Sequence, residues 1–121
     1  MRFSKFYSIV FVSNLDKARD FYSGKLGLPI SKERPDIKSI YFETGQATIG
    51  VHIPSEKSRH KAQIGRSTGI VFVVPNVAEA VNELSAKGVT FTMTSGQVPE
   101  RPDKATFVDQ DGNEFGLGQE E

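Results

Sequence analysis

The feature that most limits the fold of this chain is an internal repeat. Two stretches follow the same order of predicted elements, and matching positions lie 62 residues apart, as Asn14 and Asn76 do. In each stretch an apolar strand precedes the asparagine, a preferred helix N-cap residue, and a helix then ends at Gly27 or Gly88. The tetrapeptide Ile-Val-Phe-Val recurs at an offset of 61, but a one-residue slip would turn every strand side chain over. We therefore align the halves on their helix caps.

Each half is completed by three short predicted strands. The first strands and the helices are expected at residues 6–12 and 70–74, and at 15–25 and 77–87. The later strands are expected near 28–34, 37–44 and 47–53, and near 89–93, 104–109 and 113–118, with Asp111-Gly112 as the last hairpin turn. The sequence thus predicts an α+β fold of two βαβββ modules, about 4–53 and about 68–121, joined by a linker at about 54–67.

Composition limits the classes of function. The 121 residues suit one domain or two small halves, and 37% hydrophobic residues with nine Phe supply a core. Basic and acidic residues balance at 15 each, so no overall charge attracts nucleic acid or a membrane surface. The absence of cysteine excludes disulfides and thiolate metal sites. No apolar run approaches the roughly 20 residues of a membrane span. We expect a cytoplasmic protein with no nucleic-acid or membrane partner.

Three motifs carry a resemblance to a known family. They are residues 12–22 with Leu26-Gly27-Leu28, residues 74–80 with Gly88-Val89, and residues 107–115. In this order and spacing they resemble the vicinal oxygen chelate superfamily of glyoxalases, bleomycin-resistance proteins and extradiol dioxygenases, over nearly the whole chain. Gln110 stands where the family often has proline between two aspartates. Because the turn depends mainly on Asp-Gly, we expect it to survive.

The resemblance implies an architecture beyond the strand order. In this family each module curls its sheet into a half-open cup with the helix on the convex side, and two modules form a cleft. The cleft can lie within one chain or across two, and members of this length usually dimerise. A homodimer is therefore expected.

Strand alternation assigns side chains to the two faces of each sheet. Ile49 and Val51 of the fourth strand, and Phe115 and Leu117 of the last, are expected beneath the helices. The facing of the third strand, with its Tyr41, stays open. The cup-face residues expected to contact a ligand are Tyr7, Phe11, Gly50, His52, Gly69, Val71, Glu114 and Gly116.

The resemblance also indicates where a metal would bind. Metal-dependent relatives take one His, Glu or Gln ligand from each of four strands, and those positions hold Tyr7, Gly50, Gly69 and Gly116 here. Glycine offers no donor, and a neutral phenol is a poor ligand. Strand glycines often mark the close approach of a ligand, so we expect open space above them. We predict no metal and no other cofactor. A two-residue misalignment would supply only two ligands, His52 and Glu114.

Our leading hypothesis is a homodimer of the bleomycin-resistance type that sequesters a small organic molecule, with no catalytic residue. His52 is the best polar candidate in the cleft, as a hydrogen-bonding group or proton carrier, although a structural histidine is the alternative. One rival function is a glyoxalase-like lyase, epimerase or dioxygenase that uses a divalent ion as a Lewis acid. Another is a module that binds a protein through its sheet edge.

Two loops are further candidates for the edge of the cleft. The basic segment 57–61, with Arg66, could cover the cleft and attract an anionic group, or it is simply a solvated loop. The proline-containing stretch 96–103 is expected to form another rim.

Overall fold

A computed structural model describes residues 1–94 and 103–121. The chain divides into two compact units, Met1–Ile64 (unit 1) and Gly65–Glu121 (unit 2). Each unit contains one four-stranded mixed sheet and an α-helix, which confirms the predicted α+β class. None of the helices in the described ranges has the length and hydropathy needed to cross a membrane. The stretch predicted as a second rim lies, apart from Asp103, outside the described residues.

Unit 1 follows the predicted order of elements. Its elements are β1 (Ser8–Phe11), α1 (Leu15–Arg19), a π-helix (Asp20–Lys25), β2 (Ile30–Arg34), a 3-10 turn (Pro35–Ile37), β3 (Ser39–Glu43), β4 (Thr48–His52) and a 3-10 helix (Arg59–Gln63). The sheet order is β1-β4-β3-β2. Strand β1 runs parallel to β4, and the other pairs are antiparallel. The expected linker of 54–67 therefore contains a helical turn, which Ser58 caps by accepting a hydrogen bond from the His60 N–H.

The first helix changes type partway along. Asn14 caps it as predicted, because its Oδ1 accepts a hydrogen bond of 2.9 Å from the Lys17 N–H. After Arg19 the α-helix becomes a π-helix, in which the Leu26 N–H donates to the Phe21 carbonyl five residues back. Phe21 and Tyr22, consecutive in sequence, are both buried. We attribute the wider turn to the packing of these two rings. The 3.6-residue period of an α-helix, which the sequence analysis used, does not predict such a turn.

Unit 2 repeats the same topology. Its elements are β5 (Ser67–Val74), α2 (Val77–Ala86), β6 (Thr90–Met93), β7 (Lys104–Val108) and β8 (Glu114–Gln119), in the sheet order β5-β8-β7-β6. Asn76 caps α2 as predicted and accepts from the Glu79 N–H at 2.9 Å. Strand β5 begins three residues earlier than expected. Its pairing with β8 shifts register between Ser67 and Val71, where Gly69 has a φ of 73°. A positive φ of this kind is typical of glycine at a bulge.

The core of each unit lies between its helix and its sheet. The predicted facing is confirmed, since Ile49, Val51, Phe115 and Leu117 are all buried. In unit 1, the Tyr22 ring lies 5.3 Å from that of Phe42. In unit 2, four phenylalanine rings form one cluster, Phe72, Phe91, Phe107 and Phe115. This burial fixes which face of each sheet remains for a ligand.

The hairpin between β7 and β8 is held by more than its Asp-Gly pair. Gly112 has a φ of 80°, as the turn requires. The buried carboxylate of Asp109 accepts hydrogen bonds from the backbone N–H groups of Asp111 and Asn113 and from the Asn113 side chain. Asn113 Oδ1 in turn accepts from the Gly65 N–H at 2.7 Å. This network holds the turn with Gln110 at the position where the family often has proline.

Candidate ligand-binding site

The register between β3 and β4 shows which face of the sheet each β3 side chain occupies. Tyr41 pairs with Gly50 and Ser39 pairs with His52 across the antiparallel β3–β4 ladder. Ile9 pairs with Gly50 on the other side of β4. Residues directly opposite each other in a ladder point to the same face. Tyr41 and Ser39 therefore share the cup face of unit 1 with Gly50 and His52.

The space above Gly50 is filled. A Cβ atom placed on this residue would lie 2.8 Å from Ile9 Cδ1 and 2.9 Å from Tyr41 Cε1. Similarly, a Cβ on Gly116 would lie 3.2 Å from Val71 Cγ2. The expectation of open space is wrong at both positions, because side chains from neighbouring strands lie across the glycines. A Cβ placed on Gly69 would lie in open space. The positive φ of this residue is the reason that glycine is favoured there.

Beside this covered position, unit 1 has a hollow of about 300 Å³, which we call the tyrosine hollow. Tyr7 and Tyr41 form its aromatic wall, with ring centroids 5.5 Å apart and planes at 88°. This edge-to-face arrangement is a favourable geometry for aromatic pairs. Its polar lining includes Lys5, Arg34, Glu43 and Thr48.

The pKa values of Tyr41 and Glu43 in the tyrosine hollow are shifted. Removal from water, followed by the effect of neighbouring Tyr7, raises the pKa of Tyr41, which therefore stays a neutral phenol. Hydrogen bonds from Ser31 and Thr48, together with the charge of Lys5, lower the pKa of Glu43. Glu43 is thus a carboxylate at neutral pH, and Thr48 Oγ1 donates to it at 3.0 Å. The hollow combines aromatic rings, a fixed anion and cations.

His52 lies in a different part of the unit. It lines a second hollow of about 320 Å³, the histidine hollow, whose walls also include Asp36, Lys38, Ser58 and His60. Tyr7 and His52 thus line different hollows of unit 1. Phe11 belongs with His52, because its ring stacks on His60 at 4.6 Å and lies 6.3 Å from the His52 ring.

In unit 2 the predicted residues lie on the exposed face of the sheet. Val71 and Val73 are 49% and 62% exposed. Glu114 accepts a hydrogen bond of 3.3 Å from Thr92, whose hydroxyl also bonds to that of Thr106 at 2.5 Å. The sequence analysis missed this threonine pair. The alternation of threonine with apolar residues in β6 and β7 could have revealed it.

The donor set does not suit a metal of the kind that the family uses. At the four positions where the resemblance implies metal ligands, three residues are glycines, and the fourth is Tyr7, which packs against Tyr41. Across residues 1–94 and 103–121, no three His, Asp or Glu side chains are grouped closely enough to hold an ion. Apolar side chains lie over Gly50 and Gly116, so these positions carry no ligand chemistry.

Residues 6–117 match the family model for the Glyoxalase/Bleomycin resistance protein/Dioxygenase superfamily. A search of curated proteins finds no match. Among solved structures, a member of that superfamily from Sphaerobacter thermophilus is 28% identical, with 98% of each chain covered and a TM-score of 0.78.

Two further solved structures share the fold at lower identity. TnmS3, an antibiotic binding protein from Streptomyces sp. CB03234, is 23% identical over 100% of this chain and 99% of that one, with a TM-score of 0.75. Lactoylglutathione lyase from Agrobacterium tumefaciens is 20% identical over 96% and 93% of the two chains, with a TM-score of 0.72. Proteins of different activity are therefore built on this scaffold.

Proposed function

Because this chain belongs to the Glyoxalase/Bleomycin resistance protein/Dioxygenase superfamily, we propose that it is a metal-independent protein that binds and sequesters a small organic molecule. The observation that carries the proposal is the packing of Ile9 and Tyr41 across Gly50. That packing turns a family ligand position into part of an apolar surface. The tyrosine hollow next to it is the proposed binding site.

The tyrosine hollow has the chemistry of a small-molecule site. Such sites combine apolar or aromatic walls with a few fixed polar groups, in volumes of roughly 300–1,000 Å³. Here the Tyr7–Tyr41 pair supplies the wall, and Glu43, fixed by Thr48, supplies an acceptor. Lys5 adds a positive charge to the same lining. A planar organic molecule with a hydrogen-bond donor fits this combination.

The other cup-face residues remain part of the proposal as secondary contacts. They are Phe11, Gly50, His52, Gly69, Val71, Glu114 and Gly116. Shared fold does not establish shared function, so TnmS3 supports only the class of proposal. An enzyme of the glyoxalase or dioxygenase type would need a Lewis acid at positions that here offer Tyr7 and three glycines. Sequestration needs no such group.

The test is a thermal-shift screen of chelator-treated protein against small aromatic, glycopeptide and thiol-adduct compounds, followed by calorimetric titration of the best compound. We expect the affinity to be the same with and without chelator. Tyr7→Ala should weaken binding about tenfold, the effect of losing an aromatic contact of about 1.4 kcal/mol. Phe6→Ala is the matched control, because Phe6 is 87% exposed and is not among the residues lining the tyrosine hollow.

Elemental analysis of the purified protein tests whether it is metal-independent. A divalent metal present in stoichiometric amount, with binding lost on chelation and restored by nickel or zinc, would overturn the proposal in favour of the enzyme. Turnover of a methylglyoxal–thiol adduct by the metal-loaded protein would establish that alternative directly.

We also propose that the protein is a homodimer, as the resemblance implies. Sedimentation velocity should then give about twice the chain mass of 13.3 kDa. A single species of 13.3 kDa at micromolar concentration would contradict the dimer.

A further inference from the structure

We propose that the histidine hollow is a second binding site, separate from the tyrosine hollow, that takes a small oxyanion such as a phosphate or carboxylate group. The proposal does not depend on the function suggested above. It rests on the convergence of both histidines of the chain and one uncompensated lysine around one hollow.

Phe11 organises the two imidazoles. The His60 ring stacks on it in parallel, at 4.6 Å and 7°, while the His52 ring meets it nearly edge-on, at 6.3 Å and 69°. Ser58 fixes the backbone of the same turn by accepting from the His60 N–H at 3.1 Å. Both rings are therefore positioned by packing before any ligand arrives, which reduces the entropy lost on binding.

The fixed charges around the hollow leave one positive charge uncompensated. The carboxylate of Asp36 is neutralised by two contacts with Arg34, at 3.1 and 2.8 Å. Glu56 is ion-paired with Lys61, and Lys38 acts on Glu56 only as a weaker charge interaction. Lys38 therefore remains as a cation in the wall of the hollow.

His52 is held so that one ring nitrogen is left for a ligand. Its Nδ1 lies 2.9 Å from Oγ of the buried Ser39, whose hydroxyl donates to the Ile37 carbonyl at 3.3 Å. This bond engages Nδ1 and leaves Nε2 out of it. Nε2 is therefore the ring nitrogen that can contact an oxyanion while the Ser39 bond is kept.

The buried Nδ1 of His60 has no hydrogen-bond partner in the part of the chain that the structure describes. Lys38 caps the C-terminal end of the 3-10 turn Pro35–Ile37, with a φ of 54° and its N–H donating to the Pro35 carbonyl. This turn places Lys38 in the wall of the histidine hollow.

The chain has two histidines, so proton NMR resolves their imidazole signals individually and reports on this hollow. We would titrate the protein with inorganic phosphate, and separately with acetate, at constant ionic strength. Saturable shifts of both imidazole signals are expected. Shifts that do not saturate, or that are confined to one imidazole, would show an adventitious ion only and overturn the proposal.

The key variant is Lys38→Gly, which removes the cation and also relieves the positive φ, so the fold is retained. It should weaken phosphate binding at least tenfold with no fall in Tm. Lys87→Gln in unit 2 is the charge-matched control and should bind as the unmodified protein does. Tyr7→Ala should leave phosphate binding unchanged. If Lys38→Gly binds normally, or Tyr7→Ala abolishes binding, the separate anion site is refuted, whatever the outcome for the tyrosine hollow.

Discussion

Replacing Phe107 with alanine is expected to lower the free energy of unfolding by about 3–5 kcal/mol. The ring is fully buried and lies 5.5 Å from that of Phe115 and 6.0 Å from that of Phe72, both nearly parallel to it. Phe91 meets it at 60° from another strand. Truncation removes contacts with all three rings and leaves a cavity that close-packed neighbours fill only in part. Urea denaturation followed by circular dichroism measures the loss.

Phe3→Ala is the control for this variant, because Phe3 is 86% exposed. Its expected effect is within about 0.5 kcal/mol. A loss below about 1 kcal/mol for Phe107→Ala would contradict the described aromatic cluster of unit 2.

The second large effect is expected at the β7–β8 hairpin. Asp109→Ala should lower the free energy of unfolding by about 3 kcal/mol, because it leaves buried donors without their acceptor. The carboxylate accepts from the Asp111 N–H at 2.8 Å and the Asn113 N–H at 2.9 Å. It also accepts from the Asn113 side-chain amide at 2.8 Å. The same denaturation experiment measures this loss.

Asp109→Asn separates the backbone contacts from the side-chain contact. Its Oδ1 can still accept from the two backbone N–H groups, while its amide faces the amide of Asn113. About half of the loss seen with alanine is therefore expected. Equal losses in the two variants, both below about 1 kcal/mol, would show that the Asp-Gly pair alone holds the turn.

Much of the fold followed from local patterns. Asn14 and Asn76 marked both helix starts, because an N-cap side chain satisfies backbone donors a few residues away. The alternation around Ile49 and Val51 identified the buried face of β4, because side chains alternate strictly along a strand. These features depend on neighbours in the sequence, so the sequence alone was enough to predict them.

The parts that were missed depend on contacts between distant residues. The facing of Tyr41 required the β3–β4 register, which alternation within β3 does not reveal. We expected open space above Gly50, because the residues next to it in the sequence do not show that the Ile9 side chain lies over it. The 3-10 helix at Arg59–Gln63 brings His60 near His52. Ser58 caps this helix, but the sequence analysis did not predict a helix there.

The crossing of Ile9 and Tyr41 over Gly50 has a consequence for how such a protein adapts. The surface at this point is formed by residues of two flanking strands, and Ile9 is 37% exposed rather than part of the buried core. Exchanging Ile9 for a smaller or larger residue therefore changes the surface over Gly50 while the helix–sheet interior stays intact. If the protein binds a ligand beside Gly50 as proposed, single substitutions at this surface would change its ligand preference with little penalty for folding.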